Sequence, residues 1–236
     1  MTWQHESPWR RRILRLLVLV AVWALLAYVV VPEGWYRFAK DHPKLDDVPT
    51  ITYTGDGIPG DPLNVGAVAT ERELKSLMIA AKWYPADPLT LESCLEIAEA
   101  TVLKRPYDAA PVSNLFLFKR KEDLAFEKPV GDNPRHRHHV RFWKTDKIDD
   151  GRPVWIGAVT YDRAVGLSHT TGQITHHIAG DVDDERNMLI SDWSATGRLS
   201  EVFEVPNFQK TKDGRNGGGD PWHTDGVLKV GVVRPE

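Results

Sequence analysis

Sulfur is scarce in this 236-residue chain: it has one cysteine, Cys94, and three methionines. A lone cysteine excludes an internal disulfide and a zinc site built on several thiolates, and it says nothing about redox compartment. Cys94 lies in a helical-looking run with Leu91, Leu95 and Ala98, which reads as a buried structural thiol. Also missing are a G-x-S-x-G elbow, a Walker motif, a dinucleotide fingerprint, an internal repeat and any low-complexity run. A clustered basic surface is absent as well. The net charge is −3, and Arg10, Arg11, Arg12 and Arg15 form a basic tip, which leaves an acidic body. That distribution argues against nucleic acid as a partner.

One long apolar run is present. Residues Leu16–Val31 read LLVLVAVWALLAYVVV without a charge, and Ile13–Arg15 extend the run to bilayer-spanning length. Arg15 can snorkel to the headgroups, and Trp9 on one side with Trp35 and Tyr36 on the other fit interfacial aromatic belts. The run is long and ends in Val-Val-Val-Pro, a poor signal-peptidase site, so a retained anchor is expected rather than a cleaved signal. The expected organisation is a basic cytoplasmic tip over 1–12, a transmembrane helix over 13–31, a linker over 32–61 and one domain over 62–236. The arginines before the span put the N-terminus in the cytoplasm and the body outside it, in a bacterial inner membrane. The bilayer is thus the first expected partner.

The body reads as α+β. Leu63–Val68 has strand character. Thr70 and Glu73 form a capping box that opens a helix carrying Leu74, Leu77, Met78 and Ala81. A second helix is expected over Leu91–Lys104. Strands are expected at 50–54, 114–118, 124–128, 137–143, 154–161, 173–178, 199–205 and 227–233. A helix over Val182–Ala195 has Asp181 as its cap and Gly197 at its end. Short links between strands predict a largely antiparallel or mixed sheet with about three helices. Gly55-Asp56-Gly57 and Pro59-Gly60-Asp61-Pro62 read as turns.

Three clusters could carry chemistry. In Arg135–Trp143, alternation puts His139, Arg141 and Trp143 on one strand face and His138, Val140 and Phe142 on the other. The bland reading is a solvated basic edge. The functional reading is an anion-binding pair of His139 and Arg141. The second cluster, Thr175–Glu185, brings His176, His177, Asp181 and further acids to a strand end and helix start. It could ligate a divalent metal, although the acids also complement the helix dipole. The third, Gly214–Gly226, has three consecutive glycines followed by Asp220, His223 and Asp225, with Arg215 before them. Candidate ligand contacts are therefore His139, Arg141, Arg215, Asp220 and His223. Candidate metal ligands are His139, His177, Asp181 and His223, and they stand only if the fold gathers them. Fragments of a membrane acid-phosphatase pattern also occur in order (Lys104-Arg105-Pro106, Ser168-His169, His177-x-x-x-Asp181), but the spacings fail and the match is chance.

Several unusual segments occur in order: Asp61-Pro62-Leu63-Asn64-Val65, Arg105-Pro106-Tyr107, Asp123–Lys128, His138–Trp143, Tyr161-Asp162-Arg163, Ile174–Ile178 and Gly219-Asp220-Pro221. Together they resemble the bacterial LssY C-terminal domain family over about residues 58–233. The resemblance implies an envelope-associated domain, found alone or behind multi-pass membrane regions, and it carries no reaction and no catalytic set. The expected function is a membrane-anchored envelope protein binding a polar or anionic ligand or an envelope partner. A metal-dependent hydrolase of an ester or phosphoester is the alternative.

Overall fold

A computed structural model describes residues 8–31, 42–86, 114–131, 136–170, 172 and 174–235. The expected helix over Leu91–Lys104 lies outside them. The chain divides into two units, Met1–Lys44 and Leu45–Glu236. The first contains helix α1, Pro8–Leu25, continued by one π-helical stretch, Leu26–Val30. Within it, Arg12–Val30 is long and apolar enough to cross a membrane, with a mean hydropathy of 2.6 and none of it buried.

The second unit is α+β, as the sequence predicts. Its strands are β1 Ile51–Thr54, β2 Pro59–Pro62, β3 Val65–Val68, β4 Tyr84–Pro85, β5 Leu115–Leu117, β6 Arg120–Lys121, β7 Leu124–Pro129, β8 Arg137–Asp149, β9 Arg152–Leu167, β10 Ile174–Ile178, β11 Leu199–Val205, β12 Asp213–Arg215, β13 Pro221–His223 and β14 Leu228–Val233. Helix α2, Glu71–Ala80, follows β3, and helix α3, Val182–Ala195, follows β10. The main sheet has the order β11-β14-β3-β9-β8-β7-β4, with β10 also paired to β9. Every pairing in it is antiparallel except β14 with β3. A smaller sheet has the order β2-β1-β5-β6, and β12 pairs with β13.

The β8–β9 hairpin is the spine. Its two-residue turn is Asp150-Gly151, both with positive φ, between the paired Asp149 and Arg152. That is the turn whose twist matches the flanking strands. Strand β9 is long enough to serve two partners along one edge: β3 beside residues 154–157 and β10 beside residues 162–167. Asn64 fills the gap between those partners. Its Oδ1 accepts from Val159 N at 3.0 Å, and its Nδ2 donates to Val159 O at 3.1 Å and Val182 O at 2.8 Å. A buried amide thus stands in for a missing ladder partner and satisfies both backbone polar groups of Val159.

Each face of the sheet buries its own core. On one face, α2 and α3 bring Leu74, Leu77, Met78, Leu189, Ile190 and Trp193 against Val140, Phe142, Trp155 and Val159. On the other face, Leu45, Val48, Leu63, Leu115 and Leu117 pack on Trp143, Ile156, Ala158 and Val230. This second layer corrects the sequence reading. The segment expected as a linker over 32–61 contributes β1, β2 and buried Leu45 and Val48, so the folded body begins at Leu45. Pro59-Gly60-Asp61-Pro62, expected as a turn, is strand β2. It can be one because prolines are tolerated on an edge strand, and β2 is the edge of the small sheet.

Both described helices of the body start as their sequences dictate. Thr70 accepts from Glu73 N while Glu73 accepts from Thr70 N, which closes the capping box of α2. Asp181 accepts from Asp183 N and Asp184 N at the start of α3, and Gly197, at positive φ, ends it.

Candidate functional site

A cavity of about 340 Å³ opens between the two sheets, lined by Asp61 of β2, Arg141 of β8, Thr160 and Asp162 of β9, and Thr175 and His176 of β10. Ser168 and the loop residues Asn216, Gly217 and Gly218 close its far wall. The reason these side chains converge is the period of two. On β8, the residues at 137, 139, 141 and 143 leave the aromatic core and face the smaller sheet. The first three of these are polar, and Arg141 is the one that lines the cavity.

Around the cavity lies a buried charge network. Arg137 donates through Nη1 to Glu127 Oε2 at 2.8 Å and through Nε to Asp162 Oδ2 at 3.3 Å. His176 bridges the same groups, with Nε2 3.2 Å from Arg137 Nη2 and Nδ1 3.3 Å from Asp162 Oδ2. Arg141 Nη1 lies 3.5 Å from Asp61 Oδ2, and Asn216 Nδ2 donates to Asp61 Oδ1 at 3.3 Å. Asp61, Glu127, Arg137, Arg141 and Asp162 are all buried. Burial raises the Asp61 carboxyl above its ordinary range despite the Arg141 guanidinium beside it. Burial likewise raises Asp162, against the pull of His176 and Arg137. Charges placed this deep are costly unless matched.

The sequence-derived candidates part company here. Arg141 does line the cavity, but its strand is central rather than a solvated edge. His139 is buried on the same face without lining it. Burial, and then the neighbouring Arg141 and Arg137, hold its imidazole well below the ordinary histidine range, so it brings no charge to an anion at neutral pH. Arg215 is exposed and donates to Gly219 O at 2.7 Å, pinning the glycine loop. His223 is exposed and lies 2.8 Å from Asp213 Oδ1. That contact, an exposed pair, raises its pKa.

The proposed metal set is not gathered. Asp181 is spent as the cap of α3, His223 lies beside it through a backbone bridge, and His139 is buried near Arg141 and Arg137. His177 and Asp220 do meet, with His177 Nδ1 2.9 and 3.1 Å from the two carboxylate oxygens. The other acids of the cluster are structural. Asp183 and Asp225 clamp the buried Arg186, Asp225 with both oxygens at 2.8 and 2.9 Å. Glu185 lies 2.6 Å from His138 Nδ1. In the glycine loop, the N–H groups of Gly219 and Asp220 both turn inward to Asn216.

Four participants escaped sequence reasoning. Asp61 sat in what read as a turn. Asp162 stands beside Arg163, and Arg137 stands among the other basic residues of Arg135–Trp143. His169 was dismissed with a chance phosphatase fragment, yet its ring centroid lies 5.1 Å from that of His177. Alternation in the Tyr161-Asp162-Arg163 segment was the available signal for Asp162, since Ala158, Thr160 and Asp162 share a face.

Comparison with known proteins bears on the whole unit rather than on one residue. Neither the curated proteins nor the solved structures contain a match. A family model described as the LssY C-terminus matches residues 45–228, starting where the folded body starts and taking in the cavity, the charge network and the glycine loop. The chain belongs to the LssY C-terminal domain family.

Proposed function

We propose that this chain is a single-pass membrane protein of the cell envelope whose body binds a small polar ligand carrying an oxyanion. The observation that carries this reading is the cavity, whose wall mixes Arg141 and His176 with hydroxyl groups of Thr160, Ser168 and Thr175 and two carboxyls held above their ordinary range. A carboxyl that retains its proton is a donor, so acidification turns Asp61 and Asp162 from repelling an anion to binding one. Buried ionisable groups with shifted titration in a cleft are a common mark of a ligand site. The anchoring part of the proposal is supported by α1, whose apolar length suffices for a bilayer, and by the arginines at its start, which favour a cytoplasmic N-terminus.

The test uses the full chain in detergent micelles with inorganic sulfate, an oxyanion that does not titrate in the working range. Sulfate should bind, and should bind more tightly as the solution is made more acidic, because protonating the raised carboxyls removes their repulsion. Thr175→Trp, which fills the cavity from a half-buried position, should weaken binding at least about tenfold by calorimetry. Equal affinity in parent and variant would sink the cavity as the site. A reporter fused after Glu236 that works only in the cytoplasm would overturn the orientation.

A further inference from the structure

We infer that His169, His177 and Asp220 form a site for a divalent first-row transition-metal ion, beside the cavity and joined to its network through Asn216. One ligating atom from each comes within 4.8 Å of the others, the single such trio of histidine and acid groups among the described residues. Two imidazoles and one carboxylate suit ions of the zinc, cobalt and nickel kind. Calcium and magnesium prefer all-oxygen shells.

The spacing is close to what such an ion requires. Ligand atoms about 2.0–2.1 Å from a tetrahedral ion lie about 3.3 Å from one another. His177 Nδ1 and the Asp220 oxygens, at 2.9 and 3.1 Å, are already at that separation. His169 has the remaining distance to close. Its backbone is fixed, because its N–H donates to Gly218 O at 2.8 Å, while its side chain is exposed and can turn.

The supporting residues are built for the purpose. Asp220 is 1% exposed, its N–H donates to Asn216 Oδ1 and its carboxylate accepts from Ile178 N. Arg163 approaches that carboxylate only to 3.9 Å, from a side chain that is 57% exposed. A buried carboxylate calls for a nearer positive charge, which an ion would supply. Gly166 leaves room for the His177 ring, since a Cβ there would lie 2.8 Å from Nε2. A bulge in the β9–β10 pairing falls at His177/Ile178, where the register skips Arg163. Bulges of this kind re-aim side chains next to functional sites. Three protein ligands with an exposed member leave a coordination position open to water, the arrangement of reactive rather than purely structural zinc sites.

The bland alternative is a His177–Asp220 hydrogen bond that merely ties the glycine loop to β10. The experiment separates the two. The full chain, made without a histidine tag, is stripped with chelator in detergent and titrated with Co²⁺, followed by zinc competition. The expected result is one Co²⁺ per chain with the visible absorption of a low-coordinate site, displaced by zinc. His169→Ala should weaken binding at least about tenfold without moving the thermal midpoint of the metal-free protein. Gly166→Ala should weaken it too, by displacing the His177 ring. His223→Ala, which removes an exposed histidine outside the trio, should titrate like the parent. No stoichiometric ion, or His169→Ala titrating like the parent, would reduce the trio to the hydrogen bond. Such a failure leaves the sulfate test of the cavity untouched, because that test needs no metal.

Discussion

The two faces of strand β8 are made from one stretch of chain and do opposite things. Val140 and Phe142 point into the aromatic layer under α2 and α3, where Phe142 stacks on Trp193 at 6.1 Å. Arg137, His139 and Arg141 point the other way into a buried polar network. Both faces are buried, but only one gains from it. Burying apolar surface stabilises a fold in proportion to area, whereas burying charge recovers at best its own desolvation cost.

The largest effects should come from damaging either face, and the repair should distinguish them. Phe142→Ala should cost about 3–5 kcal/mol in urea unfolding, with no compensating polar change able to restore it. Arg137→Met should cost a similar amount, about 3–5 kcal/mol, because Glu127 and Asp162 keep their buried charges. Adding Glu127→Gln and Asp162→Asn should recover most of that loss. A triple variant as unstable as the single one would break the comparison, making the polar face structural after all.

Acid should sharpen the contrast more gently. His139 stays neutral in the fold while its unfolded form takes a proton near its ordinary pKa, so its contribution is intact above that value and is lost as pH falls below it. The raised carboxyls of Asp61 and Asp162 act in reverse. They penalise the fold above their folded pKa, and acidification relieves the penalty. His139→Gln should therefore gain on the parent by about 1.4 kcal/mol per pH unit below about pH 6.5. Asp61→Asn should lose the acid-side relief. Parallel stability profiles for parent and His139→Gln would remove the histidine from the account. The smallest effect is expected at Asp181→Ala, about 1 kcal/mol from loss of the helix cap, with Co²⁺ titration unchanged. A large loss of metal binding there would revive the ligand role its sequence position suggests.

Local signals were legible wherever the chain states its own geometry. The α2 capping box, the Asp181 cap and the Gly197 stop all stand as read. Strand β11 and the start of β8 fall where alternation put them. Asp150-Gly151 was equally readable as a hairpin turn, and it alone would have joined β8 to β9. Phe118-Lys119 was not, since both residues take positive φ in a two-residue turn with no glycine or asparagine to announce it. The site was legible only in halves. His177 and Asp220 are 43 residues apart and meet because β10 and the glycine loop are neighbours in the fold. Asp61 reaches Arg141 across 80 residues. No spacing rule encodes partners set by sheet order.

Sheet order also sets a timetable. Strand β14 lies between β11 and β3, and among the described residues β11 has no other neighbour in the main sheet. A chain emerging from the ribosome as far as Gly226 therefore holds β11 without a partner and β3 with one side bare, however long it waits. Such open edges invite pairing with other chains. Strand β14 closes both edges at once, pairing with β11 on one side and β3 on the other.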